Sequence, residues 1–330
     1  MQITNSLTDD IFGIKSSHDF ERVCMQVFKY QALHCKVYAD FLNFLGKSID
    51  SVSSPTDIPF LPIEFFKSHE VIANEKQAQL LFTSSSTTGS TPSRHYVADV
   101  SIYEKSYLKS FELFYGSPTG YAILALLPSY QQREGSSLIY MVNDLIRRSN
   151  HPDSGFFLNE DEKLFSTLKQ LNESGKKNIL IGVSYALLDF AEKYQYPLSH
   201  TIIMETGGMK GKRKEIVKEE LHKILMNSFE TTAIQSEYSM TELLSQAYSY
   251  GNGNYECPPW MKVLIRDINE PIRLLEENKT GGINIIDLAN VYSCSFIATQ
   301  DLGRLNNDGT FSVLGRFDNS DIRGCNLMVE

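Results

Sequence analysis

A run of small hydroxyl side chains in residues 83–94 is the part of the sequence best suited to bind phosphate. It follows a short apolar segment and begins with Thr83, Ser84, Ser85, Ser86, Thr87, Thr88 and Gly89. Phosphate oxygens accept hydrogen bonds, which hydroxyls and closely spaced backbone N–H groups donate. Arg94 at the end of the run can add charge, and the adjacent His95 is a candidate contact to the nucleotide or the substrate. Composition alone leaves two interpretations open, a phosphate-binding loop or a polar surface loop, and no Walker loop is present because no Gly-Lys-Ser/Thr follows.

Two further groups of residues bring carboxylates. Residues 236–242 read Ser-Glu-Tyr-Ser-Met-Thr-Glu and follow a predicted strand, at a predicted helix start. Glu242 beside Thr241 can hold a hard cation such as Mg²⁺ next to phosphates. The alternative is a helix cap, since Thr and Glu are common at helix N-termini. Asp301 and Arg316 form the third group, in Thr-Gln-Asp-Leu-Gly and Leu-Gly-Arg-Phe-Asp, and taken alone they are interpreted as surface residues in turns.

The elements that position these groups follow an α/β pattern between residues 61 and 250. Short apolar segments predict strands at 80–82, 122–127, 179–183, 201–204 and 232–234. Helix-length segments between them predict helices at 101–115, 136–148, 160–171, 185–194 and 212–228. Ser101 and Glu104 predict a capping box at the start of the first of these helices. Strands buried on both faces and separated by helices indicate a parallel sheet.

The two flanking parts differ from this core. Residues 1–60 contain one predicted amphipathic helix, 17–46, and lead into a proline-rich aromatic linker around 58–66 that we expect to be extended and not helical. Residues 251–330 carry predicted strands joined by Gly- and Asn-rich turns, at 260–266, 283–287, 296–299 and 311–314. We therefore expect three parts: a helical segment with its linker (1–60), an α/β core (61–250) and a β-rich subdomain (251–330).

Composition excludes several classes of function. The net charge of -9 is spread over 330 residues without a basic block, so nucleic acid is not an expected partner. Five scattered cysteines predict neither a disulfide framework nor a zinc site. Because the N-terminus is polar, we expect no signal peptide, and the longest apolar run, residues 121–127, is too short to span a membrane. We expect a cytoplasmic protein without a membrane span. A serine hydrolase is disfavoured because no Gly-x-Ser-x-Gly is present.

In their order and spacing, the three groups of residues resemble the adenylate-forming superfamily of acyl-CoA synthetases, luciferases and peptide-synthetase adenylation domains. The hydroxyl run is similar to its Thr-Ser-Gly-Thr-Thr-Gly phosphate loop. The segment from Tyr238 to Glu242 resembles its Tyr-Gly-Met-Thr-Glu box, whose glutamate helps to hold Mg²⁺. Asp301 matches the aspartate that binds the ribose hydroxyls, and Arg316 belongs to a Gly-Arg pair that precedes the hinge. The resemblance implies ATP and Mg as ligands.

A closer resemblance is to LuxE-type acyl-protein synthetases, which are related to phenylacetate–CoA ligases. It is carried by Leu-Pro-Ile-Glu-Phe-Phe-Lys at 61–67, Glu-Thr-Gly-Gly-Met-Lys-Gly at 205–211, Glu-Tyr-x-Met-Thr-Glu-Leu at 237–243 and Asp-x-x-Asp-Ile-Arg-Gly-Cys-Asn at 318–326. The implied fold is the large N-terminal region of the superfamily, with αβα layers around a parallel sheet, a small β-rich subdomain and no mobile C-terminal domain. Without that domain, coenzyme A ligation is less expected.

The implied activity has two steps. ATP converts a fatty acid into acyl-AMP, and the acyl group then moves to a cysteine of the enzyme; a reductase or an acyl carrier protein is the implied partner. Cys325 fits the acyl acceptor, with Arg323 placed to lower its pKa. The alternative for Cys325 is a structural role, since a lone cysteine near a terminus often only fills a small space. Cys294 is the second candidate for the acyl acceptor. Gly207 and Gly208 are candidates for close approach of adenine or the acyl chain.

Two serines depart from the family pattern. Ser86 and Ser239 stand where the phosphate loop and the Tyr-Gly-Met-Thr-Glu box have glycine. If either position requires a positive φ, a serine costs about 1–2 kcal/mol of backbone strain. The alternatives to a working synthetase are therefore a catalytically impaired acyl- or nucleotide-binding protein, or an aryl or short-chain acid ligase that acts with a separate acceptor.

Overall fold

The computed structural model describes residues 5–85, 91–129, 131, 133–207, 213 and 216–316. Within these ranges the helices are α1 (Asn5–Phe12), α2 (Ser17–His34), α3 (Lys36–Phe44), α4 (Phe65–Ser68), α5 (Val100–Tyr115), α6 (Ser137–Ser149), α7 (Asp161–Glu173), α8 (Ser184–Lys193) and α9 (Lys218–Phe229). The strands are β1 (Leu61–Pro62), β2 (Leu80–Thr83), β3 (Arg94–Val97), β4 (Ala122–Leu126), β5 (Gly155–Phe156), β6 (Asn178–Val183), β7 (Thr201–Thr206), β8 (Gln235–Tyr238), β9 (Ala247–Ser249), β10 (Asn254–Tyr255), β11 (Met261–Arg266), β12 (Thr280–Asp287), β13 (Phe296–Leu305) and β14 (Phe311–Arg316).

The central sheet is the predicted parallel sheet. Its strand order is β5-β4-β6-β7-β8-β9; the first five strands pair in parallel and β9 is antiparallel. Every residue of β4 and β6 is buried, because α6 packs against β4 and α8 packs against β6 and β7. Apolar side chains on both faces of these strands are therefore removed from water, which explains their continuous hydrophobic runs.

A second, mainly antiparallel sheet is built from the C-terminal part of the described chain. Its order is β10-β14-β13-β12-β11, and β1 joins it by pairing in parallel with β13, Leu61 opposite Ile297. The buried apolar side chains of both sheets form one continuous core that extends from Leu7 to Phe311. The N-terminal linker is thus part of the second sheet, and the division of the chain at residues 60 and 250 stays a prediction.

The N-terminal helix prediction was wrong in one respect: two helices replace the single helix 17–46. The chain leaves the helical conformation at Cys35 (φ -98°, ψ 101°), and Ser16 caps α2. The break lets the second helix turn so that Tyr38 stacks on Phe296, with ring centres 5.9 Å apart. The linker prediction was also wrong beyond Pro62, where Phe65 begins the short helix α4, because a proline restricts only its own φ and the residue before it.

Three other local predictions were wrong. The capping box is absent because Asp99 caps α5, while Glu104 accepts a hydrogen bond from the Tyr140 hydroxyl. The strand expected at 232–234 lies at Gln235–Tyr238, and residues 239–246 form turns rather than a helix. The helix predicted at 212–228 is α9, which begins at Lys218. Residues 213, 216 and 217 are described and are not helical. Apart from the helix expected after residue 238, which is replaced by turns, these errors concern element ends, where side-chain hydrogen bonds decide the boundary and apolar periodicity carries little information.

Candidate active site

A polar cleft of about 520 Å³ lies where the two sheets meet the β2–β3 hairpin. It is bordered by the carboxyl ends of β7 and β8, which share one edge of the central sheet, and by β13 and β14 of the second sheet. Ligands bind to open α/β sheets at this edge because the loops that follow the strands converge there. The cleft brings together residues from the hydroxyl run, from the box at 238–242, from the 205–211 motif and from the Asp301–Arg316 group.

The start of the hydroxyl run lines the cleft through Thr83, Ser84 and Ser85. The Thr83 N–H donates to the Gly135 carbonyl at 2.7 Å, and the Ser84 hydroxyl accepts a 2.9 Å hydrogen bond from the Ser93 N–H. Gly135 has φ +78°, and a Cβ there would meet the Thr83 hydroxyl oxygen at 3.0 Å, so glycine is required at this close approach. Ser86, Thr87, Thr88 and Gly89 lie outside the described residues.

Glu242 and Thr241 also line the cleft, in a turn held by two neighbouring side chains. Asn290 Nδ2 donates to the Glu242 carbonyl at 2.7 Å, and His95 Nδ1 lies 2.8 Å from the Thr241 carbonyl. Burial raises the pKa of the Glu242 carboxyl, against the effect of a hydrogen bond from Ser93. A partly desolvated carboxylate gains more from a bound cation than an exposed one does, because screening by water is weaker.

His95 lies behind this turn and does not line the cleft. It is fully buried, and burial lowers its pKa to about 4 against the effect of the Thr241 hydrogen bond. Its imidazole is therefore neutral at pH 7, and Nδ1–H donates to the Thr241 carbonyl. The structure places His95 as a support of the turn at 241–242 rather than as a contact to the substrate.

Asp301 and Tyr238 connect the two sheets beside the cleft. The Tyr238 hydroxyl donates to Asp301 Oδ2 at 2.8 Å, and Arg316 Nε lies 3.5 Å from Asp301 Oδ1. Burial raises the pKa of the Asp301 carboxyl, although Tyr238 and then Arg316 act in the opposite direction. Asp301 and Arg316 face each other in the register of β13 and β14, which brings residues fifteen positions apart within reach of each other. The Arg316 side chain is 64% exposed and lines the cleft.

Gly207 follows β7 and lines the cleft together with Thr206. Gly207 has φ +67°, and its carbonyl accepts a 3.0 Å hydrogen bond from the Ser184 hydroxyl. The preceding Glu205 is buried and pairs with Lys218 Nζ at 2.5 Å. Burial opposes ionisation of Glu205, but His222 and Lys218 together lower its pKa to about 2. The strand end is thus anchored by a partly buried ion pair. Gly208 lies outside the described residues.

The positive charge at the cleft comes from residues other than Arg94. Arg94 faces Thr83 across the hairpin but does not line the cleft, because its guanidinium lies 5.9 Å from the centre of the Tyr96 ring on the same strand face. Lys67, Arg133 and Arg316 line it instead. The sequence did offer a signal that Lys67 belongs to the site, because Lys67 is the last residue of the Leu-Pro-Ile-Glu-Phe-Phe-Lys motif. Arg133 had no such signal.

Ser239 lines the cleft without backbone strain. The non-glycine residues with positive φ in the described part of the chain are Asn150, Glu230, Asn252 and Asn278, and Ser239 is outside this set. The argument that a serine at this position impairs the site by left-handed strain therefore fails for Ser239. Ser86 lies outside the described residues.

The four cysteines within the described ranges do not line the cleft. Cys294 is completely buried, burial raises the pKa of its thiol well above the ordinary value, and Sγ lies 3.4 Å from the Phe296 carbonyl. These properties do not suit an acyl acceptor, which acts as a thiolate. Cys325 lies outside the described residues.

No family model and no curated protein matches the sequence, but solved structures match the fold. ATP-bound MatB from Rhodopseudomonas palustris is 15% identical, with a TM-score of 0.53 over 72% of this chain and 47% of MatB. The open conformation of 2-hydroxyisobutyryl-CoA ligase, in complex with 2-HIB-AMP and CoA, is 12% identical, with a TM-score of 0.66 over 93% of this chain and 72% of the ligase. The postadenylation state of that ligase with 2-HIB-AMP is 11% identical, with a TM-score of 0.66 over 93% and 70%.

These matches define the class of fold. The chain has the mixed α/β fold of the N-terminal domain of adenylate-forming ligases, as the sequence predicted. It spans about half the length of MatB. In the part of the chain that the structure describes, no helix is both long enough and apolar enough to cross a membrane.

Proposed function

We propose that this protein activates a carboxylic acid with ATP, forming acyl-AMP and pyrophosphate. The observation that carries the proposal is the convergence of three separate groups of residues on one cleft: Thr83 to Ser85, Glu242, and Arg316 with its partner Asp301. Two solved structures that share the fold contain ATP or an acyl adenylate. The sequence motifs and the geometry therefore support the same chemistry.

In the proposed reaction, a carboxylate oxygen of the acid attacks the α-phosphorus of ATP. The bond from that phosphorus to the bridging oxygen breaks, and pyrophosphate leaves with the electron pair, so no proton is transferred. Catalysis of such a step consists mainly of positioning and charge stabilisation. We assign phosphate binding to the hydroxyls of Thr83, Ser84 and Ser85, charge stabilisation to Lys67 and Arg133, and ribose binding to Asp301.

The cleft also fits Mg²⁺, which proteins hold through one or two carboxylates and the phosphates of the substrate. Glu242 supplies one such carboxylate, with the Thr241 hydroxyl beside it on the same cleft. No cluster of three or more His, Cys, Asp or Glu side chains suited to a metal occurs among the described residues. When bound, Mg²⁺ would neutralise phosphate charge.

We further propose that the acid is a fatty acid and that the acyl group passes to Cys325. The Cys325 thiolate would attack the acyl carbon, the bond from that carbon to the phosphate oxygen would break, and AMP would leave. The resemblance to LuxE-type acyl-protein synthetases supports this step. It is also supported by the burial of Cys24, Cys35 and Cys294 and by the high thiol pKa of Cys257, about 12. A reductase or an acyl carrier protein would then receive the acyl group.

The proposal is tested by pyrophosphate release with ATP, Mg²⁺ and a panel of fatty, aromatic and short-chain acids, followed by intact-mass analysis. Acid-dependent release, absent without Mg²⁺, is the expected result. Release with short or aromatic acids but no protein adduct would instead identify a ligase that uses a separate acceptor. Folded protein that binds ATP but releases no pyrophosphate with any acid would indicate a binding protein and overturn the proposed activity.

A further inference from the structure

The turn that carries Glu242 is held by a segment of the second sheet. Asp287 ends β12, and Leu288–Asn290 form a short 3-10 helix directly after it. Asn290 Nδ2 donates to the Glu242 carbonyl at 2.7 Å, and Asp287 Oδ2 accepts from the Leu244 N–H at 2.8 Å. Residues 287–290 therefore form a clamp that holds the main chain at Glu242 and again just beyond it.

Asp287 is suited to this role because it is completely buried and surrounded by donors. Its Oδ2 accepts from the N–H groups of Leu244 and Ser245, and its Oδ1 accepts from the Ser245 hydroxyl and the Ala289 N–H. Burial raises the pKa of Asp287 to about 6, against the effect of the hydrogen bonds from Ser245 and Leu244, so the carboxyl is ionised at pH 7. An ionised carboxylate only accepts hydrogen bonds, whereas an asparagine would turn its NH₂ group towards some of these donors.

The clamp is itself fixed by Gln31, which lies on α2 in the N-terminal segment. Gln31 is completely buried, and its Nε2 donates to the carbonyls of Asn290 at 2.9 Å and Val291 at 3.0 Å. Its Oε1 accepts from the Ser295 N–H at 2.9 Å, so both ends of the side-chain amide bind the chain that follows β12. Helix α2 is thereby linked to Glu242 through Asn290.

The clamp acts on Glu242 without reaching the cleft. Glu242 lines the cleft, whereas Asp287 and Asn290 do not. Residues 239–246 form neither a helix nor a strand, so hydrogen bonds from neighbouring side chains, rather than a regular ladder, fix the main chain there. The direction of the Glu242 carboxylate therefore depends on the clamp. Partners of this kind orient metal ligands in proteins, and loss of one weakens metal binding about 10- to 100-fold.

We propose that Asp287 and Asn290 are positioning residues of the magnesium site, which hold the Glu242 carboxylate in the direction that meets the cation. The proposal rests on the proposed function, which makes Glu242 the Mg²⁺ ligand. Gln31 supports the same arrangement from one step further away, so the N-terminal segment contributes to the site although α2 does not line the cleft. Loss of the clamp should weaken Mg²⁺ binding and leave the other contacts to ATP in place.

The test is calorimetric binding of ATP to the full chain over a range of Mg²⁺ concentrations, beside pyrophosphate release. The measured quantity is the Mg²⁺ concentration at which ATP binding is half-maximally strengthened, the Mg²⁺ midpoint. Asp287→Asn and Asn290→Ala should each raise this midpoint about tenfold, as expected for the loss of an outer partner of a metal ligand. Gln31→Leu should raise it in the same direction. ATP binding without Mg²⁺ should be unchanged in all three variants.

Two control variants lose comparable buried hydrogen bonds far from the turn. Asp144→Asn changes a buried carboxylate that accepts from Tyr107 and Arg148 on and beside α6. Asn178→Ala removes a buried amide that donates to the Lys176 carbonyl at the amino end of β6. Both controls should be less stable in urea, as the clamp variants are, but should keep the Mg²⁺ midpoint of the unmodified protein.

The outcomes separate the clamp from the proposed activity. An unchanged Mg²⁺ midpoint in the clamp variants, or an equal shift in the controls, would overturn the clamp. The clamp is also overturned if Mg²⁺ does not strengthen ATP binding to the unmodified protein. If the midpoint shifts as expected while no acid releases pyrophosphate, the clamp stands and acid activation fails. Circular dichroism checks folding; if Asp287→Asn does not fold, Asn290→Ala decides, because it removes a single hydrogen bond to the turn.

Discussion

The Tyr238 hydroxyl reaches from the end of β8 to Asp301 on β13, and this 2.8 Å hydrogen bond joins the two sheets at the candidate ATP site. The tyrosine ring is held in place by Tyr255 and Phe311, with centres 5.7 and 5.5 Å away. The carboxylate proposed to bind ribose is therefore oriented by a residue of the neighbouring sheet. A change in the angle between the sheets would therefore move the Asp301 carboxylate relative to Tyr238.

Tyr238→Phe should weaken ATP binding with little effect on stability outside the cleft. It removes a hydrogen bond to a charged group, worth about 1.5 kcal/mol or roughly tenfold in affinity. Calorimetric titration with ATP measures the change. Tyr255→Phe is the matched control, because that hydroxyl bonds Lys218 rather than the ribose aspartate. Equal ATP affinity in Tyr238→Phe and the unmodified protein would contradict the role of Asp301.

Glu242→Gln should lower pyrophosphate release by about 100-fold and raise the Mg²⁺ concentration required, since one charged ligand is lost. Its pH dependence has a definite sign. Burial raises the pKa of Glu242 above 4.5, so Glu242 takes up a proton at a higher pH than an ordinary carboxylate does. As the pH is lowered, the affinity for Mg²⁺ should therefore begin to fall at this higher pH. Titration of the rate against Mg²⁺ at several pH values measures this, and Glu219→Gln, at an exposed position on α9, serves as control.

Glu205→Gln should remove part of the acid sensitivity of folding. The pKa of Glu205 is about 2 in the folded protein and near 4.5 when unfolded, so its ionised form stabilises the fold above pH 4.5 and this stability is lost as the pH falls towards 2. The shift corresponds to about 3 kcal/mol. Urea unfolding across this range should show a steeper decline for the unmodified protein. Parallel curves would show that the pair with Lys218 does not control acid stability.

His95→Phe should act in a different pH window. Burial lowers the pKa of His95 from 6.5 to about 4, so the unfolded chain binds the proton first and the fold loses stability as the pH falls from 6.5 to 4. The variant should be less stable at neutral pH by about 1–3 kcal/mol, since the Thr241 carbonyl loses its donor, and this deficit should shrink on acidification. A constant deficit at all pH values would mean that His95 is not buried in its neutral form.

Cys325→Ala should keep acyl-AMP formation and lose covalent acyl labelling. The change removes only the proposed thiolate, and the cleft residues proposed to bind ATP are left unchanged. Intact-mass analysis after incubation with ATP, Mg²⁺ and acid measures the adduct, with Cys257→Ala as control because it is the least buried of the described cysteines. Unchanged labelling of Cys325→Ala would place the acyl group elsewhere.

Apolar periodicity in the sequence determined the central sheet. Continuous buried runs such as Ala122–Leu126 and Asn178–Val183 predict strands covered on both faces, and short-range pattern is sufficient because each strand is a local element. The resemblance of the ordered motifs to the adenylate-forming superfamily also implied that the hydroxyl run, the box at Glu242 and the Asp301–Arg316 group belong to one site. These features depend on residue type and spacing, which the chain itself displays.

Tertiary structure decided the contacts between distant segments. It placed Lys67 rather than Arg94 at the cleft, because β1 pairs with β13 and carries α4 to that position. It also set Gln300 against Glu64, 236 positions away in the sequence, so that Gln300 Nε2 donates a 2.7 Å hydrogen bond to Glu64 Oε1. Such contacts arise from the packing of whole sheets against each other, and no local periodicity encodes which side chains then face the same space.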